Sequence, residues 1–174
     1  MRKTLGLIFC ALLLTKAGFP QSTSTEAPTI ELFGGYSYKS LDEARSHLDT
    51  HGWEASGTFN FNSWLGLKLD FDGHYHDGSI ATRQYNAFFG PEFSFRNRKG
   101  KLFVHVLYGG ACLGSSVIGA GGCNDASALG GGGDFNLSPH WGWRVGQVDY
   151  LRTRFEDKHA QENVRFSSGI VYRW

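Results

Sequence analysis

The chain has 174 residues, of which 41% are hydrophobic and 15% aromatic, and its 24 glycines are about twice the usual ~7% share. So many aromatic residues exclude a disordered chain, and the absence of a Gly-X-Y period excludes collagen. The one apolar run that approaches helix length lies at the N-terminus, which excludes a helical membrane bundle. A composition rich in glycine and aromatic residues favours β-structure.

The first 24 residues have the organisation of a secretory signal peptide. Basic residues at 2–3 precede an apolar run of ten residues at 5–14, and small residues follow. Ten residues are too few to cross a bilayer as a helix, which takes about 20. We therefore expect cleavage somewhere in 17–24 and one mature domain over 25–174; an uncleaved anchor is the alternative.

The mature chain would be close to neutral and would keep two cysteines. Removal of residues 1–24 leaves 14 basic and 16 acidic residues, so no strong basic field remains and nucleic acid is not expected as a partner. In an oxidising compartment, Cys112 and Cys123 are expected to form one disulfide. Two free thiols or two metal ligands are the alternatives.

Period-2 alternation dominates the mature chain and predicts eight strands. In residues 53–61, for example, Trp53, Phe59 and Phe61 share one face, whereas Glu54 and Thr58 lie on the other. The other strands are expected near residues 29–38, 65–76, 84–95, 102–109, 129–137, 141–152 and 164–174.

One strand changes the parity of its alternation. Trp141 and Val145 share one parity, whereas Val148 and Tyr150 hold the opposite one. This predicts a β-bulge near Val145-Gly146, because a bulge turns the following side chains to the other face.

The connections alternate in length. Short ones are expected at 62–64, 96–101 and 138–140, and long ones near 39–50, 77–82, 113–127 and 153–161. An even number of antiparallel strands with short turns at one end and long loops at the other is the plan of an outer-membrane barrel. A soluble lipocalin-like barrel with its apolar face inside is the alternative.

The distribution of charged and aromatic residues favours the membrane barrel. One face of the strands carries charges of both signs, expected in the interior: Glu31, Glu54, Lys68, Asp70, Asp72, Glu92, Asp134, Arg144, Asp149, Arg165 and Arg173. The other face carries aromatic residues near the strand ends, as in the girdles at membrane interfaces. The girdle residues are Phe61, Trp64, Phe93, Phe95, Trp141, Tyr172 and Trp174 at the short-turn end, and Tyr36, Tyr38, Trp53, Tyr75, Tyr85, Tyr108 and Tyr150 at the long-loop end.

The interior of an eight-stranded barrel is just wide enough to be filled by side chains. The short turn at 138–140 predicts that Asp134 lies opposite Arg144, and the last hairpin predicts that Asp149 lies opposite Arg165. Such pairs would fill the lumen, because an isolated buried charge is costly. Separately solvated charges in a wet lumen are the alternative.

The C-terminal residues 167–174 resemble the insertion signal of bacterial outer-membrane barrels. Gly169, Tyr172 and Trp174 occupy its glycine and aromatic positions, with Trp174 where phenylalanine is usual. Residues 29–174 as a whole resemble the small eight-stranded barrels of the outer-membrane protein A and opacity-protein type, within a porin-like superfamily.

Two internal stretches, 89–95 and 147–155, resemble one branch of this superfamily. The resemblance implies an outer-membrane location with long loops outside and both mature termini in the periplasm. It implies contact with outer-membrane lipid and lipopolysaccharide, and with the barrel-assembly machinery through the last strand. It implies little about activity, because the fold serves many roles.

The expected function is therefore that of a non-enzymatic, monomeric barrel without cofactor, which stiffens the envelope or presents loops 39–50 and 113–127 to partners. A narrow pore for small solutes is the first alternative. A lipid A-modifying enzyme is the second, with Asp72, His74 and Ser79 as candidates by position.

The histidines permit a further interpretation. His74 and His76, on one face of a strand with His47 and His51 nearby, would be metal ligands, but no third ligand is fixed by spacing. Polar residues at a wet rim are the favoured alternative. The glycines of 109–110 and 130–133 are expected to allow close approach and curvature of the strands.

Overall fold

The computed structural model describes residues 27–43, 46–76, 82–115, 122–154 and 160–174, which form eight antiparallel strands closed into a barrel. Each strand pairs with the next, and β8 returns to β1, so the predicted all-β up-and-down barrel is confirmed. The expected signal peptide lies outside the described residues. The strands are β1 (Ile30–Glu43), β2 (Ser46–Asn60), β3 (Leu65–His76), β4 (Thr82–Arg96), β5 (Gly100–Ser115), β6 (Gly122–Asn136), β7 (Trp141–Arg154) and β8 (Ala160–Arg173).

Helices play no part in this architecture. No helix among the described residues is long and apolar enough to span a membrane, a finding that does not bear on crossing by strands.

The three short turns are closed by side-chain caps that the sequence supplies locally. The Oδ1 atom of Asn62 accepts hydrogen bonds from the backbone N–H groups of Trp64 and Leu65 at 2.9 and 2.8 Å. Asn97 does the same in the β4–β5 turn, and Ser138 Oγ accepts from the N–H of Trp141 in the β6–β7 turn. These local bonds offer the turning backbone partners that the strand ladder no longer provides.

Two of the four expected long loops are largely strand. The β1–β2 pairing continues from Ile30–Phe59 to Glu43–Ser46, so residues 39–43 and 46–50 of the loop predicted at 39–50 are strand. Residues 113–115 and 122–127 of the loop predicted at 113–127 are strand as well, and the rest of both loops lies outside the described residues. The prediction was wrong because the alternation fades where both faces become polar, whereas backbone pairing does not need an apolar face.

The bulge in β7 lies where the change of parity predicts it. Gly133 pairs with Gly146, whereas the next residue, Asp134, pairs with Arg144, so Val145 is the extra residue on β7. The register with β8 shifts across the same segment, between Arg144 and Gln147. As a result, Gln147 and Asp149, which follow the bulge, share the inner face of the wall with Arg144.

Glycines on β6 make room in the interior. A Cβ atom on Gly132 would come within 2.9 Å of Phe103 Cζ, and one on Gly130 would overlap the Asp149 carboxylate. The large inward side chains of β5 and β7 therefore occupy the space that β6 leaves free, which extends the predicted close approach of these strands.

The two cysteines form the expected disulfide. Cys112 on β5 and Cys123 on β6 lie opposite each other with their Cα atoms 4.1 Å apart, and the bond joins the long-loop ends of these strands. It encloses the β5–β6 connection.

The two faces of the barrel wall are the reverse of those in a soluble barrel. Arg165, Lys68 and Asp70 have no exposed surface, whereas Leu102 and Phe61 are 65% and 61% exposed. The soluble alternative, with its apolar face inside, is therefore wrong. The charged face fills the lumen, and the aromatic and aliphatic face covers the outside.

Candidate functional site in the barrel lumen

The lumen is the candidate site because it gathers the charged residues of the strands. All eleven residues expected in the interior have buried side chains: Glu31, Glu54, Lys68, Asp70, Asp72, Glu92, Asp134, Arg144, Asp149, Arg165 and Arg173. Both expected pairs are present, since Asp134 lies opposite Arg144 on β6 and β7, and Asp149 lies opposite Arg165 on β7 and β8.

Arg165 organises the middle of the lumen. Its Nη1 and Nη2 atoms donate to Asp70 at 3.1 and 3.2 Å, and its Nη1 atom also donates to Asp72. Asp149 accepts from Nε and Nη2 at 2.9 and 2.6 Å, and Glu54 lies 3.6 Å from Nε. One guanidinium thus faces four carboxylates, a multidentate arrangement that suits its planar set of donors.

Gln147 connects this middle layer to its neighbours. Its amide nitrogen donates to Glu54 at 2.9 Å and to Asp149 at 2.7 Å. Its amide oxygen accepts from Lys68 Nζ at 3.2 Å and from Arg144 Nη1 at 2.7 Å. The amide thus donates two hydrogen bonds and accepts two, which satisfies the hydrogen-bonding capacity of this buried polar group.

Arg144 lies between two aromatic rings. Its guanidinium carbon is 4.2 Å from the ring centroid of Phe33 and 4.4 Å from that of Phe103. Its Nε atom donates to Asp134 at 2.8 Å. Cation–π contacts with two rings together with an ion pair restrain the position of this guanidinium.

The short-turn end of the lumen is built around Glu31. Its carboxylate accepts from Arg96 Nη1 and from Lys101 Nζ, and Arg173 Nε lies 3.5 Å away. Lys101 Nζ also donates to Glu92 at 2.6 Å. Three cations therefore share one carboxylate at this end of the barrel.

Several of these bonds cross the full width of the lumen. In an eight-stranded barrel the strand opposite β1 is β5, and the strand opposite β3 is β7. Lys101 on β5 bonds Glu31 on β1, and Lys68 on β3 bonds Gln147 on β7. The side chains of opposite walls thus contact each other across the lumen.

The charges of the described interior balance. Seven acidic side chains lie there: Glu31, Glu54, Asp70, Asp72, Glu92, Asp134 and Asp149. Seven cationic ones accompany them: Lys39, Lys68, Arg96, Lys101, Arg144, Arg165 and Arg173. Lys39 Nζ donates to Gln84 Oε1 at 2.9 Å, and the other thirteen groups lie in ion pairs with one another, which makes their burial tolerable.

Sequence reasoning missed three of these cations and one amide. Lys39 was assigned to a loop, and Arg96 and Lys101 to a turn, although Lys39 has the parity of Ser37, and Lys101 that of Phe103. Gln147 has the parity of Asp149, but it carries no charge and so gave no signal for the network. Extending the parity of each strand by two residues would have found the missing lysines.

An apolar cluster lies on the inner wall of β4–β7 beside the charged residues of the same strands. It has six members, three of them alanines: Phe88, Leu107, Ala111, Ala126, Ala128 and Leu151. These residues are no more than 3% exposed, so packing fills this part of the lumen.

The candidate enzyme residues form a hydrogen-bonded chain with an unexpected serine. His74 Nδ1 lies 3.1 Å from Asp72 Oδ1, and His74 Nε2 lies 3.1 Å from Ser37 Oγ. Ser37 has no exposed surface, and its backbone is paired in the β1–β2 and β1–β8 ladders. An acyl group would need access to Oγ and free N–H donors for its oxyanion, and this serine offers neither. The predicted Ser79 lies outside the described residues.

Of the four histidines considered as possible metal ligands, the structure places His51 and His74 on opposite faces of the wall. His74 points into the lumen, whereas His51 is exposed on the outside, where it contacts Tyr36 and Tyr38. The side chains of His47 and His76 lie outside the described part of the chain. No group of three or more metal-ligating side chains occurs among the described residues.

The aromatic residues expected in two girdles all lie on the outer surface, where most are more than 40% exposed, and Tyr38 and Tyr172 are half-buried. Neighbouring members contact one another. Trp64 stacks on Phe93 at 6.1 Å, Trp141 meets Tyr172 at 4.8 Å, and Trp53 Nε1 donates to the hydroxyl oxygen of Tyr75 at 3.2 Å. The rings form a band at each end of an aliphatic surface.

The C-terminal strand closes the barrel through a close contact of glycines. Gly169, a residue of the expected insertion signal, pairs with Gly35 on β1. A Cβ atom on Gly169 would overlap the backbone of Gly34 and Gly35. Glycine at this position is therefore required by the approach of β8 to β1.

Comparisons with known proteins identify the fold. No model of a known protein family matches the sequence, and no curated protein matches it. Among solved structures, the chain resembles Neisserial surface protein A with a TM-score of 0.72 at 8% identity, over 84% of this chain and 97% of that one. It resembles Ail, the attachment invasion locus protein of Yersinia pestis, with a TM-score of 0.59 at 19% identity, over 85% and 99%.

The outer membrane protein OprG of Pseudomonas aeruginosa gives a TM-score of 0.56 at 10% identity, over 85% of this chain and 96% of that one. The barrel thus has the fold of small eight-stranded outer-membrane proteins over nearly the whole length of each of them.

Proposed function

We propose that this chain, whose fold is that of the small eight-stranded outer-membrane barrels, is an integral protein of a bacterial outer membrane. Its role is non-enzymatic: it strengthens the envelope or presents its long-loop end to partners. Its lumen is plugged by side chains and does not conduct solutes.

The observation that carries the membrane assignment is the inverted burial of the wall. The exposed surface between the aromatic bands is aliphatic and phenylalanine-rich, with Leu69, Phe89, Val106 and Leu129 between 49% and 58% exposed. Water would penalise such a continuous apolar surface, whereas lipid tails cover it without cost. Closure of the sheet supports the same proposal, because lipid offers no partner to an open strand edge.

The proposed orientation follows from the two ends of the barrel. The first and last strands begin and end together, since the backbone N–H of Trp174 donates to the carbonyl of Ile30 at 2.9 Å. The three described short turns share this end, which we assign to the periplasm, and the opposite end then faces outward. The β5–β6 hairpin, held by the Cys112–Cys123 disulfide, is then the surface best fixed for contact with partners.

The proposed partners follow from the outer surface and the last strand. Outer-membrane lipid and lipopolysaccharide would cover the apolar band, and the barrel-assembly machinery would engage β8. A monomer suffices, because the closed barrel leaves no strand edge between the described strands.

The contacts inside the lumen support the proposal that the barrel neither catalyses a reaction nor conducts solutes. The cross-lumen bonds from Lys101 to Glu31 and from Lys68 to Gln147 favour a plug over a pore. Ser37 contacts His74 but is fully buried, so a lipid substrate could not reach its hydroxyl for hydrolysis.

An arginine scan of the outer surface tests the membrane assignment. Leu69 lies midway along β3 between Trp64 and Tyr75 and is 49% exposed, whereas Leu137 lies in a short turn and is 59% exposed. In a bilayer, Leu69→Arg should lower the free energy of unfolding by ~2–4 kcal/mol and Leu137→Arg by ~0–1 kcal/mol. Equal, small effects of both substitutions in lipid vesicles would contradict the proposal, since a water-exposed surface tolerates either arginine.

A further inference from the structure

A cavity of about 580 Å³ opens at the short-turn end of the barrel. It lies between the β4–β5 turn, the β6–β7 turn and the chain ends, and its size is within the ~300–1,000 Å³ range of small-molecule sites. Its charged lining consists of Arg96, Arg98, Lys101 and Arg173, with His140 beside them. We call this cavity the basic mouth.

Among the described residues, no acidic side chain lines the basic mouth. Glu31 lies behind the lining cations, where its single carboxylate serves Arg96, Lys101 and Arg173. With Glu92 and Asp134, three carboxylates serve Arg96, Lys101, Arg144 and Arg173, and Arg98 at the mouth adds a fifth cation. Separation of charge along the axis leaves the mouth with a local excess of cations.

The lining donors are held in place, and one is free. Arg173 is fixed by Asp134 and Asn136, and Lys101 by Glu31 and Glu92, so these side chains lose little further entropy when they bind. Arg98 is exposed and makes no side-chain ion pair or hydrogen bond with any described residue. A prearranged cationic wall and an uncommitted guanidinium are suited to a multivalent oxyanion.

We propose that the basic mouth is a binding site for a phosphate-bearing anion, with Arg98 as the residue that closes on the phosphate. Guanidinium groups bind phosphate oxygens in pairs, and Asn97, Asn136 and Ser138 in the lining add neutral hydrogen-bonding groups. This proposal goes beyond the proposed function because it names a ligand, and it holds whichever compartment the basic mouth faces. The phosphate can belong to a soluble ion or to a lipid headgroup at the rim.

The test measures pyrophosphate binding by titration calorimetry to the full barrel in uncharged octyl glucoside micelles at low salt. Arg98→Gln removes the free guanidinium, and Arg152→Gln is the matched control, because Arg152 is exposed on β7 near the other end. We expect binding by the wild type, at least about fivefold weaker binding by Arg98→Gln and unchanged binding by Arg152→Gln. No binding by the wild type, or equal losses in both variants, would overturn the proposal.

Two further measurements locate the site and its source of phosphate. Backbone amide shifts in NMR spectra should move at residues 96–101 and 136–140 on addition of pyrophosphate; shifts confined to the opposite end of the barrel would exclude the mouth. Pyrophosphate binding is then compared in nanodiscs of phosphatidylglycerol and of phosphatidylcholine. Weaker binding in phosphatidylglycerol means that lipid headgroups occupy the site, whereas equal binding means that the site takes a soluble anion.

Discussion

Arg165 on β8 donates two hydrogen bonds, from Nε at 2.9 Å and from Nη2 at 2.6 Å, to one carboxylate oxygen of Asp149 directly opposite on β7. Both side chains have no exposed surface. The arginine also contacts three further carboxylates, two of which, Asp70 and Glu54, lie near Lys68 as well.

Removal of the Arg165 cation should be strongly destabilising. Arg165→Met should lower the free energy of unfolding by ~3–5 kcal/mol, because it leaves several buried carboxylates without their partner. Urea unfolding in lipid vesicles, followed by tryptophan fluorescence, measures the loss. Arg152→Gln, at an exposed position on the neighbouring strand, should change stability by less than ~0.5 kcal/mol. A loss for Arg165→Met no larger than that of the control would mean that water, not the guanidinium, solvates the lumen.

The seam between β8 and β1 gives a second prediction. Gly169→Ala should reduce the yield of folded barrel, because the added Cβ atom would overlap the backbone of β1. Gly34→Ala is a matched control on the same seam, since a Cβ atom there meets nothing within 4 Å. The folded fraction is read from the mobility of unboiled samples on gels, where closed barrels resist detergent. Equal yields for the two variants would show that the seam has room for a methyl group.

The disulfide gives a third prediction. Cys112 and Cys123 are 11 residues apart in sequence, and opening the bond should lower the free energy of unfolding by ~2–3 kcal/mol through the entropy of the unfolded chain. Cys112→Ser measured against the oxidised wild type gives this difference. The double variant Cys112→Ser/Cys123→Ser should match the single one. Additional loss in the double variant would indicate that Cys123 contributes through packing rather than through the bond.

The sequence predicts the wall of the barrel well and its ends poorly. Alternation assigned the inward face of every strand, and the parity change at Val145 located the bulge, because in each case one face is apolar and the other polar. Asp134–Arg144 followed from a short turn that fixes the register. Beyond residue 38 both faces of β1 are polar, so neither the strand extension nor the inward Lys39 carried a signal.

Contacts across the lumen could not be predicted from the sequence. The bond from Lys68 to Gln147 joins residues 79 positions apart on opposite strands, and it depends on the stagger and diameter of the closed barrel. Ser37 was missed beside His74 for the same reason. Local register relates neighbouring strands only, whereas the plug is formed by strands that never pair.

Conductance in a planar lipid bilayer tests the central claim, a lumen filled by paired side chains, most directly. The purified wild-type barrel should insert without producing steady single-channel steps in concentrated KCl, because ion pairs join opposite walls. Insertion is confirmed independently by the heat-dependent gel mobility of protein recovered from vesicles of the same lipid. Reproducible steps of one uniform conductance from the inserted wild type would contradict the plug and favour a narrow pore.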